Sequence, residues 1–337
     1  MLAVIHGDGK RIIRMDMMNK EEIIMSEFQK ISIEHKAGTS FGLLWKHNKG
    51  DKALANVIIM TGMEETSRRY DEFAKYLNNE GFDVYCIDSF GQGENVLPDL
   101  SNLGVWPKSG FRKQVQVVDA LVQKLRITCL PTFIFSHSMG SFLAQDYIQR
   151  YTHHVSKVVL CGSNGKNPAT GVGYLLAKMV VTKKNAYEKA KLLNKLMFGN
   201  FNKGIKNPRT PYDWLSFNEE NVDRYIADPL CGFGPNNSFC LEFLKGLNRL
   251  YKRKFLEKIR KDLDIFIISG EGDPVSNFGK GVTALEKMYA KKLKLKSVKS
   301  KIYPNMRHEI LQEKEREIVF KDIADFFKAD LEKKNIV

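Results

Sequence analysis

Short apolar runs alternate along the chain with longer segments whose apolar residues recur at helical spacing. The short runs are suited to buried parallel strands, and they predict strands at residues 57–61, 82–88, 132–135, 157–161, 265–269 and 301–303. Two earlier segments, 28–33 and 40–45, alternate apolar and polar residues, as antiparallel edge strands do. The helical patterns between these runs lie at residues 67–80, 110–125, 138–151, 281–293 and 313–331. This order predicts an α/β fold, a mostly parallel, doubly wound sheet with helices on both faces.

The alternation breaks in a lysine-rich stretch at about 164–260, where the pattern is helical and no clear strand is seen. The stretch is too long for a simple loop. We therefore expect a helical cap inserted over the carboxyl ends of the strands, where active sites of such sheets lie. The predicted organisation is a poorly ordered leader at 1–25, the core at 26–163 and 261–337, and the cap at 164–260.

The net charge of +14 favours anionic partners, with positive residues clustered at 183–206, 245–261 and 287–301. These clusters are either ordinary solvated helix faces or a surface for peripheral contact with an anionic membrane. Nucleic acid is not expected as a partner, because the chain has no zinc-finger, helix-turn-helix or RNA-binding pattern. No apolar stretch approaches the roughly 20 residues that span a bilayer, and no secretory signal is recognised. With five cysteines, an odd number, we expect reduced thiols and a cytoplasmic protein.

A candidate nucleophile lies in the sequence Ser-His-Ser-Met-Gly at residues 136–140, between a predicted strand and a predicted helix. This is the G-x-S-x-G pattern of a nucleophile elbow, with Ser136 in place of the first glycine. A sharp strand-to-helix turn would expose the hydroxyl of Ser138 at the edge of the sheet. The alternative is an ordinary serine at a helix N-cap.

A serine nucleophile needs a base and a group that orients the base. Of the seven histidines, His308 is the one that follows the last predicted strand at the correct edge. Asp273 follows the preceding strand in a turn between glycine and proline, and Glu271 is a weaker candidate for the same role. The chain order serine, aspartate, histidine is that of α/β-hydrolases. Taken singly, Asp273 could be a turn former and His308 a residue that starts a helix.

The developing oxyanion needs hydrogen-bond donors. We predict the backbone N–H groups of Met139, directly after the nucleophile, and of Met63, in the loop after the strand at 57–61. Residues 88–93 follow a predicted strand but lack the third glycine of a dinucleotide-binding fingerprint. No cluster of histidine, cysteine and carboxylate residues has the spacing of metal ligands. No cofactor and no metal are therefore expected.

Several segments together resemble the monoacylglycerol lipases and bacterial lysophospholipases, an S33-like group of α/β-hydrolases. Residues 61–70, T-G-M-E-E-T-S-R-R-Y, resemble their oxyanion loop, H-G-x-G-E-H-S-x-R-Y, and residues 90–93 resemble their G-H-G-x-S loop. Residues 215–218, 222–225 and 228–231 are similar to their cap, and the similarity runs from about residue 42 to 328. The chain departs from the pattern at Thr61, Glu64 and Ser136.

The resemblance implies a capped α/β-hydrolase fold with Ser138 as nucleophile, Asp273 and His308 as its partners, and Met63 and Met139 as oxyanion donors. It also implies hydrolysis of single-chain lipid esters, lysophospholipid or monoacylglycerol, through an acyl-enzyme. Two alternatives stay open. One is a proline-iminopeptidase-like aminopeptidase, which needs cap carboxylates such as Glu219 and Glu220. The other is a non-catalytic binding protein on the same fold.

Overall fold

The computed structural model describes residues 28–47, 52–199 and 201–331, and the predicted leader at 1–25 lies outside them. Within the described residues, eight strands form one sheet in the order β1-β2-β4-β3-β5-β6-β7-β8. The strands are β1 (Gln29–His35), β2 (Gly38–Trp45), β3 (Ala55–Met60), β4 (Phe82–Ile87), β5 (Thr132–His137), β6 (Lys157–Cys161), β7 (Asp264–Gly270) and β8 (Ser297–Tyr303).

The pairing of the strands confirms the predicted doubly wound sheet. β1 and β2 are antiparallel, β2 is antiparallel to β4, and all the other pairs are parallel. Every residue of β3, β5 and β6 is buried, because layers of helix cover both faces of the sheet. β8 is an edge strand that begins at Ser297 rather than at 301. The prediction began too late because the first residues of the strand are mostly polar and are exposed or partly exposed.

Helices of the core form the two covering layers. They are α1 (Asp71–Asn79), α2 (Gly110–Leu125), α3 (Met139–Arg150), α9 (Lys280–Glu286) and α10 (Arg316–Lys328). Apolar residues of α2, α3 and α9 pack on one face of the sheet, and those of α1 and α10 pack on the other. A 3₁₀ turn at Ser67–Tyr70 precedes α1, and a π-helical turn at Lys287–Lys292 follows α9, so the patterns at 67–80 and 281–293 are each divided in two.

An insertion between β6 and β7 contributes no strand to the sheet in the part of it that the structure describes. Its helices are α4 (Ala169–Val180), α5 (Lys191–Phe198), α6 (Glu219–Ala227), α7 (Asn237–Leu250) and α8 (Arg253–Leu256). α4, α5 and α7 share a small apolar cluster of their own, centred on Ala177, Leu193 and Cys240. The insertion covers the stretch for which the cap is predicted, and we call it the cap below. Within the described chain, no helix has the length and apolar content needed to cross a bilayer.

Candidate active site

Ser138 lies in a strained turn between the end of β5 and the start of α3. Its φ and ψ angles are 51° and −119°, a backbone conformation that residues other than glycine rarely adopt. Its N–H donates to the carbonyl of Cys161 at 2.9 Å, which joins the turn to β6. A Cβ on Gly140 would lie 2.2 Å from the carbonyl oxygen of Met60, so glycine lets α3 start directly against β3. The sequence and the backbone together form a nucleophile elbow.

Ser136 fits where the elbow pattern has glycine. It is fully buried at the end of β5, and its hydroxyl donates to the carbonyl of Val159 on β6 at 2.6 Å. The hydroxyl thus finds a partner inside the sheet, which a buried polar group requires.

Asp273 and His308 meet at the carboxyl end of the sheet. Asp273 follows β7, His308 follows β8, and His308 Nδ1 lies 2.9 Å from Asp273 Oδ1. Because a carboxylate only accepts, Nδ1 carries the proton and Nε2 is left as the basic nitrogen. Glu271, the weaker candidate, is exposed, and its N–H donates to the carbonyl of Tyr303.

Asp273 is held as a carboxylate despite full burial. Burial alone would raise the pKa of Asp273, but the charge of His308 and hydrogen bonds from His308, Ser269 and the N–H of Val275 outweigh it. The pKa of Asp273 therefore lies below its ordinary value. The Ser269 hydroxyl and the Val275 N–H each donate to it at 2.8 Å, so the carboxylate is fixed in orientation as well as in charge.

The imidazole of His308 is enclosed on several sides. The ring of Trp214, from the cap, lies 5.1 Å from it between centroids, and the ring of His137 lies at 4.7 Å. A Cβ on Gly162, which has a φ of +60°, would lie 2.9 Å from His308 Cε1. Glycine at 162 therefore leaves the room that the imidazole occupies.

A cavity of about 320 Å³ between core and cap brings the candidate residues together. Ser138, His308 and Met63 line it from the core, and Phe198 and Trp214 line it from the cap. The two residues expected to exchange a proton thus line the same cavity.

The candidate oxyanion donors belong to two segments next to the elbow. Met139 is buried at the first position of α3, where a backbone N–H has no acceptor within its own helix. Met63 lies in the loop that passes over the elbow, since a Cβ on Gly62 would be 3.2 Å from Ser138 Cβ. Met139 thus adjoins Ser138 in the chain, and the loop of Met63 adjoins it in space.

A buried network of charged groups beside the elbow was not predicted from the sequence. Arg69 forms a two-bond ion pair with Glu309, at 2.5 and 2.8 Å, and also contacts Glu65 at 3.4 Å. His137 Nδ1 lies 3.1 Å from Glu65 Oε1, and His137 Nε2 lies 3.3 Å from the carbonyl oxygen of His308. The sequence signal was present, because Glu65 and Arg69 both belong to the 61–70 motif.

Both nitrogens of His137 face acceptors, which requires both to donate and hence a charged imidazolium. Burial alone would lower the pKa of His137, but the hydrogen bond with Glu65 and the charges of Glu65 and Glu309 raise it above its ordinary value. Burial alone would raise the pKa of Glu65, but His137, Arg69 and Tyr70 lower it to about 2. The network thus balances two anions with two cations.

No group of three His, Cys, Asp or Glu side chains among the described residues is arranged to hold a metal ion.

Comparison with known proteins gives the family. The sequence profile described as serine aminopeptidase, S33, matches residues 51–315, most of the chain. The chain belongs to the serine aminopeptidase S33 family. Several proteins similar to this S33 protein are lipases or phospholipases by name, and one is a proline iminopeptidase. The monoacylglycerol lipase of Mycolicibacterium smegmatis is 24% identical over 283 residues, which cover 82% of this chain and 88% of that protein.

A probable lysophospholipase L2 of Haemophilus influenzae is likewise 24% identical to the S33 protein, over 291 residues that cover 80% of this chain and 82% of that one. Among solved structures, a highly thermostable carboxyl esterase from Bacillus coagulans is 27% identical, with a TM-score of 0.83 over 90% of this chain and 99% of that chain. These similarities confirm the α/β-hydrolase fold. The S33 protein is a serine hydrolase of the lipase and esterase class.

Proposed function

We propose that the protein hydrolyses carboxylic esters through an acyl-enzyme, with Ser138 as nucleophile, His308 as base and Asp273 as the group that orients the base. The observation that carries the proposal is the 2.9 Å contact between His308 and Asp273 beside the cavity that Ser138 also lines. The strained φ of Ser138 adds support, because such strain at a single polar residue is typical of functional sites.

The proposed steps are those of a serine, histidine and aspartate triad. His308 Nε2 takes the Ser138 proton as the hydroxyl attacks the ester carbonyl, and Asp273 stabilises the imidazolium that forms. The N–H groups of Met63 and Met139 stabilise the oxyanion. His308 then protonates the leaving alcohol, and water repeats the sequence to release the acid.

Loss of the nucleophile tests this proposal. We expect Ser138→Ala to lower kcat on p-nitrophenyl esters by about 10⁴-fold or more, because a triad acts as a unit. Labelling by a fluorophosphonate should be complete in wild type and absent in Ser138→Ala. Folded wild-type protein that neither turns over esters nor is labelled would instead favour a non-catalytic binding protein.

The favoured substrates are single-chain lipid esters, lysophospholipid or monoacylglycerol. The names of the two curated relatives support this class, and apolar side chains such as Phe198 and Trp214 on the cap side of the cavity suit an acyl chain. Turnover of a chain-length series of monoacylglycerols and lysophospholipids would identify the preferred ester. A preference for acetyl esters over every long-chain ester would contradict the lipid assignment.

The aminopeptidase alternative depended on cap carboxylates directed at a substrate amine. Glu219 and Glu220 do not line the cavity; their side chains are 79% and 78% exposed, and they pair with Arg209 and Arg224. The arrangement therefore favours esters. Activity on p-nitrophenyl acyl esters compared with aminoacyl p-nitroanilides separates the two functions.

We further propose that the cap contacts an anionic lipid surface. Apolar side chains of α4 and α5 face solvent, including Val172, Leu175, Met179, Leu192 and Leu196, and we call this set the cap apolar face. Lysines lie on the same helices, as amphipathic helices that bind anionic membranes require.

All five cysteines are unpaired, which supports a reducing compartment such as the cytoplasm.

A further inference from the structure

Glu64 has a backbone conformation that costs free energy. It follows Met63 directly and has a φ of +60°, in the left-handed region that glycine favours. In that region the Cβ of any other residue comes too close to the following carbonyl oxygen. A glutamate in this position calls for compensating contacts of its own side chain.

Those contacts are with the cap. The side-chain carboxylate of Glu64 accepts a hydrogen bond from the N–H of Gly234 at 2.9 Å. The backbone carbonyl of Glu64 accepts one from the N–H of Gly232 at 3.1 Å. One residue of the core is thus bonded at both its side chain and its backbone to a single turn of the cap, residues 232–234, which we call the cap turn.

The cap turn is in turn held by other parts of the cap. The ammonium of Lys189 donates to the carbonyls of Phe233 and Gly234 at 2.9 and 2.8 Å, and the hydroxyl of Tyr212 donates to the carbonyl of Gly232 at 3.1 Å. The cap turn is therefore bonded to the rest of the cap. Through Glu64, the N–H groups of the cap turn also bond to the loop that contains Met63.

The core side of the same loop is fixed by Gln92. Its side-chain oxygen accepts the N–H of Glu64 at 3.1 Å, and its side-chain nitrogen donates to the carbonyls of Gly62 and Glu65 at 2.9 and 3.1 Å. Residues 62–65 are thus held by Gln92 from the core and by the cap turn through Glu64. Met63 lies in the middle of this segment. Its N–H shares a planar peptide unit with the Gly62 carbonyl that Gln92 holds, and the next peptide unit leads directly to Glu64.

We propose that Glu64 is a positioning residue that couples the cap to the oxyanion hole, so that the cap turn seated on Glu64 acts together with Gln92 to hold the loop that aligns the N–H of Met63. This inference rests on the proposed function and concerns the same site. Glu64 is buried, with 8% of its surface exposed, and burial raises the pKa of its carboxyl although the Gly234 hydrogen bond and Lys189 act against it.

Two substitutions separate the carboxylate from the backbone strain. Glu64→Gly removes the carboxylate but suits a φ of +60°, so it is expected to fold, and Glu64→Gln keeps an oxygen that can accept the Gly234 N–H. We expect Glu64→Gly to lower kcat by about 10-fold, a part of the roughly 100- to 1000-fold that loss of a whole oxyanion donor costs. Glu64→Gln should retain kcat within about twofold of wild type, since it keeps an uncharged acceptor in place of the carboxylate.

The measurement is kcat and KM on p-nitrophenyl butyrate and p-nitrophenyl laurate, together with the rate of fluorophosphonate labelling. Because the oxyanion forms with every ester, kcat should fall equally on both esters while KM stays within about twofold. Glu220→Gln, an exposed carboxylate on α6, is the matched control for removing a cap charge and should behave as wild type.

Unchanged kcat in Glu64→Gly, or a rise in KM confined to the laurate, would overturn the proposal and indicate a role in acyl-chain binding. If Glu64→Gly does not fold, Glu64→Asn is the second variant, because asparagine tolerates a left-handed φ and its shorter side chain does not reach as far. A wild-type protein inert to esters and to fluorophosphonate would overturn the proposed function first, which is a different result from an active wild type with an unaffected Glu64 variant.

Discussion

Three residues around the cavity have positive φ angles: Ser138, Glu64 and Gly162. Glycine adopts this conformation readily, whereas serine and glutamate do so at a cost of about 1–3 kcal/mol each. The N–H of Ser138 is bonded to β6, and Glu64 is bonded to Gln92 and the cap turn. The strain at the site is therefore balanced by local hydrogen bonds that also set the direction of the reacting groups.

Gly162 should not accept a side chain. In Gly162→Ala the new Cβ would lie 2.9 Å from His308 Cε1 and 3.0 Å from Nδ1, which pushes the imidazole away from Asp273. We expect kcat on p-nitrophenyl butyrate to fall by about 100-fold, as it does when a catalytic group is misplaced by about 1 Å. The free energy of unfolding should also fall by about 1–2 kcal/mol because of the positive φ.

Gly38 offers a control for the backbone cost alone. It is the first residue of β2 and has a φ of +123°, and a Cβ there would meet no atom within 4 Å. Gly38→Ala should lose stability but keep kcat. Equal kcat losses in the two alanine variants would mean that Gly162 acts through global stability and not through His308.

The charged state of His137 predicts a pH dependence of stability. The groups that face it are Glu65, Glu309, the carbonyl of His308 and the imidazole of His308, whose ring centroid lies 4.7 Å from that of His137. Since the pKa of His137 is raised in the folded protein, its contribution is complete below about pH 6.5 and is lost as pH rises through the raised value. Glu65, with a pKa of about 2, stays ionised throughout this range.

We therefore expect His137→Asn to lower the free energy of unfolding by about 1.5–3 kcal/mol at pH 6, where it removes a charged hydrogen-bond donor, and by less at pH 9. Urea unfolding of wild type and variant across this range is the measurement. Parallel curves for the two proteins would show that His137 does not titrate differently in the folded and unfolded states.

At the scale of single residues, the sequence makes a prediction where a local pattern marks the residue. Ser138 is marked by the elbow, and Asp273 and His308 by their places after the last two parallel strands, so their meeting at the sheet edge follows from topology. The Arg69–Glu309 pair joins residues far apart in the sequence, and no local pattern specifies that contact. The same holds for Trp214 against His308 and for the bond from Gly234 to Glu64.

Among the elements, the buried strands were the easiest to predict, because an apolar run of about six residues covered on both faces has few alternatives. The edge strand β8 was underestimated, since exposed polar residues in Ser297–Tyr303 dilute the apolar signal. The cap helices were predicted only as a helical region without bounds. Some of their apolar residues pack in the cap cluster, others line the cavity, and others are exposed. The sequences of these helices therefore show no single apolar stripe at helical spacing.

Arg69 joins three elements, the 3₁₀ turn before α1, the loop after β8 and α6, where it donates to Asn221 at 2.9 Å. In Arg69→Met the carboxylates of Glu65 and Glu309 would keep only His137 as a buried cation. We expect the free energy of unfolding to fall by about 3–5 kcal/mol, as when one partner of a buried ion pair is removed.

Arg224 is the matched control for Arg69, because its pair with Glu220 is exposed on both sides. Arg224→Ala should change stability by less than about 0.5 kcal/mol. A similar small change in Arg69→Met, measured by the same urea unfolding, would show that the buried network carries little of the stability.

For the whole molecule, the net charge of +14 and the cap apolar face predict binding to anionic lipid. Vesicles containing phosphatidylglycerol should bind the protein more tightly than phosphatidylcholine vesicles, and binding should weaken as salt rises from about 0.05 to about 0.5 M, because salt screens exposed charges. Co-sedimentation with vesicles measures both effects.

The double variant Leu175→Asp/Met179→Asp should reduce this binding and leave turnover of soluble p-nitrophenyl butyrate unchanged. Ile127, 88% exposed and outside the cap, supplies the control, since Ile127→Asp removes a comparable apolar side chain elsewhere. Equal losses of vesicle binding in Ile127→Asp would argue against the cap apolar face as the contact surface.

The cap segment around Trp214 is bonded to the loop that carries His308. Arg307 donates to the carbonyls of Asp213 and Ser216, and Glu313 accepts the hydroxyl of Ser216 and the N–H of Phe217. Chimeras that import the insertion of a related hydrolase would break these bonds unless residues 307–313 are transplanted with it. The segment around Trp214 and the loop of His308 are therefore coupled in this enzyme. We expect that substitutions which change substrate range in the one will require compensating substitutions in the other.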